Sequence, residues 1–255
     1  MRPRTVLITG ASSGIGRALA YEYASRGARL AVAARRQEEL DATLRGIEER
    51  GGTGVTLVLD VTDTAAVRDA VARADRELGS LDMVIANAGF GGEKHSATLQ
   101  WEDVAPMLRT NIEGSFATLL AAIPIMLAQK SGQLVGVSSL AGKRALPRTA
   151  TYSATKAALS TFLETLRIDL APAGIRVTDV QPGFVETPAI ANAKHPMPFR
   201  WPVEKAARVI ANRLERAPAT IAFPWPLVAL TSFARYLPAW LYDRIIRSSA
   251  GDRAA

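Results

Sequence analysis

The sequence predicts an α/β fold, a doubly wound and mostly seven-stranded parallel sheet with helices on both faces. Three observations predict it. Seven short segments rich in Val, Ile and Leu recur along the 255 residues. Longer segments with apolar residues at helical spacing separate them. Several of the short segments are apolar on both faces, as strands covered from both sides are. Such alternation argues for parallel strands joined by right-handed helical crossovers. The length suffices for one α/β domain with a full core.

The strands are expected at Thr5–Thr9, Arg29–Ala34, Val55–Leu59, Asp82–Ala86, Gly132–Val137, Ile175–Val180 and Thr220–Phe223. Helices are expected at Gly14–Arg26, Gln37–Arg50, Thr64–Leu78, Trp101–Gln129, Thr151–Pro172 and Val203–Arg216. No linker, repeat or low-complexity run interrupts this order, so residues 1–255 are expected to form a single domain. Residues 185–202 hold Pro188, Pro196, Pro198 and Pro202 and are expected to form a loop over a binding site. Residues 224–255 form an apolar C-terminal extension, broken by Pro238. The longest uncharged run, Ala217–Ala234, contains Pro218, Pro224 and Pro226, which leaves room only for a short helix after Pro226 and argues against a spanning segment.

Composition narrows the chemistry. There is no cysteine, which removes disulfides, thiolate nucleophiles and cysteine-based zinc sites and fits a reducing compartment; a cytoplasmic protein is expected. His95 and His195 are the only histidines, far apart in sequence, so no metal site and no histidine triad is expected. The net charge is 31 − 24 = +7. From Arg200 to Ala255, nine Lys and Arg stand against four Asp and Glu, which supplies five of the seven. No nucleic-acid-binding signature accompanies this charge, and nucleic acid is not an expected partner. The N-terminus runs from Met1-Arg-Pro-Arg4 directly into the first strand, so no signal peptide is expected.

Thr9-Gly-Ala-Ser-Ser-Gly-Ile-Gly16 joins the first strand to the first helix. Gly10 permits the sharp turn, and Gly14 and Gly16, flanking Ile15, allow close approach of backbone to a pyrophosphate and of helix to strand. The helix N-terminus offers N–H groups to an anion, and the hydroxyls of Ser12 and Ser13 add donors. The spacing Gly-x3-Gly-x-Gly departs from the common GxGxxG pattern. At the end of the second strand, Ala33-Ala34 offers no acid for a ribose 2′-hydroxyl, and Arg35-Arg36 suit a 2′-phosphate, so NADP(H) is expected ahead of NAD(H). Asp60-Val61 and Asn87-Ala88-Gly89 close the third and fourth strands, where ligands of open α/β sheets sit. Asp60 is placed to bond an adenine amino group, and small Ala88 and Gly89 let a cofactor lie against backbone.

Tyr152 and Lys156 stand four apart on an expected helix and share one face. A phenol near pKa ~10 is a poor base at neutral pH, and an adjacent ammonium lowers that value. Ser138-Ser139 end the fifth strand, where a hydroxyl can donate to the same substrate oxygen.

Taken together these motifs resemble the short-chain dehydrogenase/reductase family, in its form of about 250 residues, over about residues 5–190. The family's Thr-Gly-x3-Gly-x-Gly falls on Thr9–Gly16, its Asn-Asn-Ala-Gly on Ala86–Gly89 with Ala86 in place of the first Asn, and its Pro-Gly on Pro182-Gly183. The resemblance implies a Rossmann-type fold and a catalytic set of Asn111, Ser139, Tyr152 and Lys156. It implies that Tyr152 exchanges a proton with the substrate oxygen, Ser139 polarises the carbonyl, Lys156 bonds the nicotinamide ribose and tunes Tyr152, and Asn111 holds a relay water. Val185 and Thr187 are expected beside the cofactor, Thr187 at the carboxamide. A homodimer or homotetramer is implied, with helices Trp101–Gln129 and Thr151–Pro172 pairing between subunits.

The expected substrate is a hydrophobic ketone, aldehyde or alcohol, because Ile190, Met197, Phe199 and Trp201 dominate the substrate loop; seating of the loop on the domain explains them equally well. A non-catalytic NADP-sensing regulator is the alternative of another class, and an epimerase or dehydratase the alternative among enzymes. The C-terminal segment reads first as subunit contact or pocket wall, and after that as an interfacial helix on anionic lipid, which would make a membrane-associated lipid carbonyl reductase.

Overall fold

The computed structural model describes residues 3–188 and 197–250. Seven strands form one all-parallel sheet: β1 (Thr5–Thr9), β2 (Arg29–Ala34), β3 (Thr53–Val58), β4 (Met83–Ala86), β5 (Gly132–Val137), β6 (Ile175–Pro182) and β7 (Thr220–Phe223). Their order is β3-β2-β1-β4-β5-β6-β7. The chain therefore builds outward from β1 in one direction and then from β4 in the other. This reversal opens a crevice at the carboxyl ends of β1 and β4.

Alternation along β1 shows how the sheet is held. Val6 and Ile8 face one side, with Leu19 and Tyr23 of helix α1 (Gly14–Ala24), Leu40 and Ile47 of α2 (Gln37–Glu48) and Ile210 of α7 (Val203–Leu214). Leu7 faces the other, with Val67 and Val71 of α3 (Thr64–Leu78), Leu119 and Met126 of α5 (Ser115–Gln129) and Leu159 and Leu163 of α6 (Ala150–Leu170). Two buried layers on one sheet follow from strands apolar on both faces.

Local chemistry sets the helix ends. The Asp63 carboxylate accepts from the N–H groups of Ala65 and Ala66 at 3.1 and 3.0 Å and starts α3, and Gly79 ends it in the left-handed conformation at φ 75°. Helix α4 (Trp101–Leu108) opens with the Gln100 N–H donating to the Asp103 carboxylate at 2.9 Å.

Three expected elements differ in detail. The helix expected over 101–129 is divided by a π-helical turn at Arg109–Gly114. The extra residue per turn there is a device found at functional sites, and it carries Asn111. Helix α6 stops at Leu170, and Pro172 lies in a tight turn at Ala171–Ala173. Helix α8 (Trp225–Tyr236) begins before Pro226, not after it, because a proline in the first helical turn has no N–H that the helix needs. Helix α9 (Ala239–Ala250) follows directly.

Among the described residues one helical stretch, Trp101–Gln129, is long and apolar enough to cross a membrane. Its inner face packs Leu119, Ala122 and Met126 into the core, as an internal helix does.

Candidate active site

The glycine turn lies at the end of β1. Gly10 has φ 68°, and a Cβ there would stand 2.7 Å from the Cα of Ala88. Both the backbone angle and the space require glycine. Gly16 packs α1 against the turn, since a Cβ would meet the Gly10 carbonyl oxygen at 2.4 Å. Asn87 ties the ends of β4 and β1, its amide donating to the carbonyls of Thr9 and Gly10 at 3.0 and 3.2 Å. Ser13 precedes α1 without capping it, and the first turn holds no acid. The N–H groups of that turn are left for an anion, and Gly14 lies half-buried beside them with Thr187 against it. This donor set fits a dinucleotide phosphate.

Arg36 points its guanidinium to within 3.4 Å of the Ser12 hydroxyl. Arg35 and Arg36 are both exposed, at the carboxyl end of β2. Asp60 lies close enough to Arg35 to feel its charge. Its carboxyl is held below the ordinary range, first by the Thr62 N–H at 2.9 Å and the Thr62 hydroxyl, and then by Arg35. Val61 is buried and touches the end of the π turn at Gly114.

Across the crevice, Ser139 ends the β5 connection and Tyr152 lies in the first turn of α6. Ser139 lies close enough to Tyr152 to oppose the rise that burial imposes on the phenol's pKa, while its own hydroxyl donates to the Pro182 carbonyl at 3.4 Å. Burial dominates, and in the chain alone the Tyr152 phenol lies above its ordinary value. Lys156 is buried one turn further along α6. Its ammonium donates to the Val137 carbonyl at 2.8 Å and lies 5.8 Å from the centre of the Tyr152 ring. Burial brings the Lys156 pKa down to about 8, against the attraction of Asp179.

Asn111 is fully buried. Its carbonyl oxygen accepts from the Phe90 N–H at 3.0 Å, and its amide donates to the Phe90 carbonyl at 2.9 Å and to Thr155 at 3.1 Å. Both N–H groups are thus committed to the backbone after β4 and to α6. A Cβ at Gly89 would stand 3.0 Å from the Asn111 oxygen and 3.5 Å from the Lys156 nitrogen, so Gly89 faces both.

The sequence profile of the short chain dehydrogenase family matches residues 4–197. The chain belongs to this family. It is 44% identical over 247 residues to an uncharacterized oxidoreductase of Myxococcus xanthus (strain DK1622), covering 97% of this chain and 98% of that one. Among solved structures it is similar to an alcohol dehydrogenase of Thermococcus sibiricus complexed with 5-hydroxy-NADP, with 27% identity, a TM-score of 0.78 and coverage of 86% and 95% of the two chains. It is equally similar to a short chain dehydrogenase of Mycobacterium paratuberculosis bound to NAD, with 25% identity, a TM-score of 0.77 and the same coverage. The chain is a short-chain oxidoreductase of about 250 residues with a Rossmann-type sheet, and its family uses nicotinamide dinucleotides.

Within this short-chain dehydrogenase, Pro182 and Gly183 end β6, and the Gly183 N–H donates to the Phe223 carbonyl at 2.7 Å. The segment that follows β6 is held to the domain at both described ends. Val185 is buried and bridges to Trp201, and Glu186 pairs with Arg200 at 3.2 Å. Trp201 stacks on Phe223 at 4.9 Å and so seats the loop on the domain. Phe199 is exposed. Ile190, Lys194, His195 and Pro196 lie outside the described residues.

Two charged residues of the site region escaped the sequence reading. Arg17 follows the last glycine of the turn and bonds the Ser12 carbonyl, the Glu39 carboxylate and, at 3.0 Å, Thr43. It locks α1 and α2 around the turn. Asp179 is buried on β6, accepting from Ser138 and, at 2.6 Å, from Gln181, whose carbonyl oxygen has no partner. An acid on an expected strand, between Val177 and Val180, was the available signal.

Proposed function

We propose that this chain is an NADP(H)-dependent oxidoreductase that interconverts a hydrophobic carbonyl compound and its alcohol, with Tyr152 as general acid and base. The observation that carries this reading is the convergence of Ser139, Tyr152 and buried Lys156, one helical turn beyond Tyr152, at the crevice opened by β1 and β4. A nicotinamide dinucleotide supplies the hydride when bound. The N-terminal turn of α1, with Ser12, Ser13 and Gly14, would hold its phosphates. Arg35 and Arg36 would take the 2′-phosphate, and Asp60, Asn87, Gly89, Thr187 and Lys156 would border the rest. Ser139 donates to the substrate oxygen and fixes its position. Tyr152 gives that oxygen its proton in reduction and takes it in oxidation. Proton return runs along α6 toward Lys156, with Asn111 contributing its carbonyl lone pair, since its two N–H groups are committed.

The preference for NADP(H) rests on Arg36 beside Ser12 and on Ala34, where an acid would be needed for a ribose hydroxyl. Exposed Leu120, Leu127 and Ile168 on α5 and α6 support a homodimer or homotetramer built through these helices. The absence of cysteine supports a cytoplasmic enzyme. The test is consumption of NADPH and, beside it, NADH over a panel of aldehydes, ketones, steroids and acyl thioesters. NADPH turnover with at least one carbonyl class is expected, and Arg35→Asp shifts the kcat/KM ratio toward NADH by at least about tenfold, the effect of one lost charge-assisted contact. An unchanged ratio ends the cofactor assignment; no turnover on any panel member despite tight NADPH binding replaces the enzyme by the sensor reading.

A further inference from the structure

Helices α8 and α9 turn all their aromatic side chains but Tyr242 away from the protein. On α8, Trp225, Phe233 and Tyr236 are 79%, 67% and 84% exposed, and Leu230 is 61% exposed. At 3.6 residues per turn the three aromatic residues fall within an arc of about 80°, and Leu230 extends it to about 140°. Leu227, on the other side of α8, is buried next to Gly183, and Ser232, at the edge of the aromatic arc, lies 3.4 Å from the Lys143 ammonium. Helix α9 is fastened through Tyr242, whose hydroxyl donates to the Ala145 carbonyl and whose ring lies 4.3 Å beneath the Arg144 guanidinium. Both helices thus rest on the segment that follows Ser139, at the end of the sheet that carries the site. The pocket-wall expectation does not hold for these aromatic residues, because they face outward.

The outward surface is also basic. Trp240, 68% exposed, stands one and two turns from Arg244 and Arg247 on the same face of α9, and all three are exposed. Arg235 is exposed on α8, and Asp243 is the one acid among residues 225–250. Phe90, Leu146 and Phe199 add exposed apolar side chains on loops at the carboxyl end of the sheet.

We propose that α8 and α9 form a docking surface for an anionic lipid bilayer, lying in its interface with Trp225, Phe233, Tyr236 and Trp240 at headgroup depth and Arg244 and Arg247 against the lipid phosphates. Charge complementarity selects this occupant. Trp and Tyr favour the headgroup region, and each basic residue near an anionic leaflet adds attraction. A second copy of the chain fits less well: a two-fold contact meets itself, so the arginines of one helix pair would face those of the other with a single acid to offset them. Docking itself does not rest on the oxidoreductase reading. One consequence does: the crevice opens near the bilayer, and the carbonyl substrate is a membrane-dissolved lipid.

The test uses the full chain with vesicles of phosphatidylcholine, with and without phosphatidylglycerol. The protein is expected to co-sediment with the anionic vesicles, weakly with the neutral ones, and less as salt rises. The doubly substituted Arg244→Glu/Arg247→Glu and Phe233→Ser/Tyr236→Ser proteins, altered only at exposed positions, are each expected to lose about tenfold in partitioning while keeping NADPH binding. Wild-type protein left in the supernatant with both vesicles overturns the proposal. So does sedimentation velocity in which Phe233→Ser/Tyr236→Ser breaks an oligomer while vesicle binding is unchanged, since the face is then a subunit contact. Docking without turnover of any lipid carbonyl removes the substrate consequence and leaves the surface standing.

Discussion

Replacing Lys156 by methionine is expected to stabilise this protein at neutral pH while abolishing its turnover. Burial draws the Lys156 pKa from 10.5 to about 8. The difference, 10.5 − 8, corresponds to a cost of about 3 kcal/mol for keeping the ammonium charged inside the fold. Methionine has a similar length and no charge to desolvate. It forfeits the bond to the Val137 carbonyl, which costs about 1–2 kcal/mol. The net gain is about 1–2 kcal/mol at pH 7, or a rise in Tm on the order of 5 °C for a chain of this size. The sign reverses with pH. Between about 8 and 10.5 the unfolded chain binds a proton at Lys156 that the folded chain has lost, so wild-type stability rises through this window relative to the variant. Below pH 8 the full penalty is present; above 10.5 it is gone and methionine is the less stable. Urea unfolding of both proteins at pH 7 and pH 10.5 measures the difference, and other titrating groups cancel in the subtraction. A difference that is constant across this window, or a variant already less stable at pH 7, would refute the reasoning.

Two further substitutions test the frame of the site. Gly10→Ala forces a side chain into φ 68° and to 2.7 Å from the Ala88 backbone, and is expected to cost about 2–3 kcal/mol in urea unfolding; a loss below 0.5 kcal/mol would show that the turn yields. Asp179→Leu strips the counter-charge from Lys156 and a partner from Gln181, at an expected cost of about 3 kcal/mol, whereas Asp179→Asn is expected to cost about 1 kcal/mol because the Gln181 amide can turn its unpartnered oxygen toward the new N–H group. Both variants remove the charge, so the difference between them reads the hydrogen bonds at position 179, and equal costs would deny those bonds a role.

Much of this architecture was legible because strands buried on both faces leave no freedom in their composition. Val6, Leu7 and Ile8 face two cores at once, and only an uninterrupted apolar run serves both. The glycine turn was equally legible, since a positive φ at Gly10 and contact between Gly16 and the Gly10 carbonyl admit one residue type. What escaped the sequence depended on contacts between distant segments. The π turn at Arg109–Gly114 leaves the helical spacing of apolar residues nearly intact, so periodicity joined it to its neighbours. Arg17 looks like any surface cation until α2 brings Glu39 and Thr43 to it. For Trp201 the sequence leaves substrate contact and seating of the loop equally open, and Phe223, from β7, supplies the ring on which it stacks. The outward turn of Trp225, Phe233 and Tyr236 follows from how α8 lands on the segment after Ser139, which no local pattern encodes.

The account stands or falls on the proton carried by one phenol. Tyr152→Phe removes a single oxygen from a half-buried side chain and leaves the phosphate turn untouched. Single-turnover oxidation of bound NADPH by a reducible carbonyl substrate, with the NADPH dissociation constant measured beside it, is the most direct test. The expected result is an unchanged dissociation constant and a rate lower by at least about a thousandfold, within the range that a positioned general acid contributes. A phenylalanine variant that oxidises NADPH at the wild-type rate would contradict the assignment of Tyr152 as the proton donor.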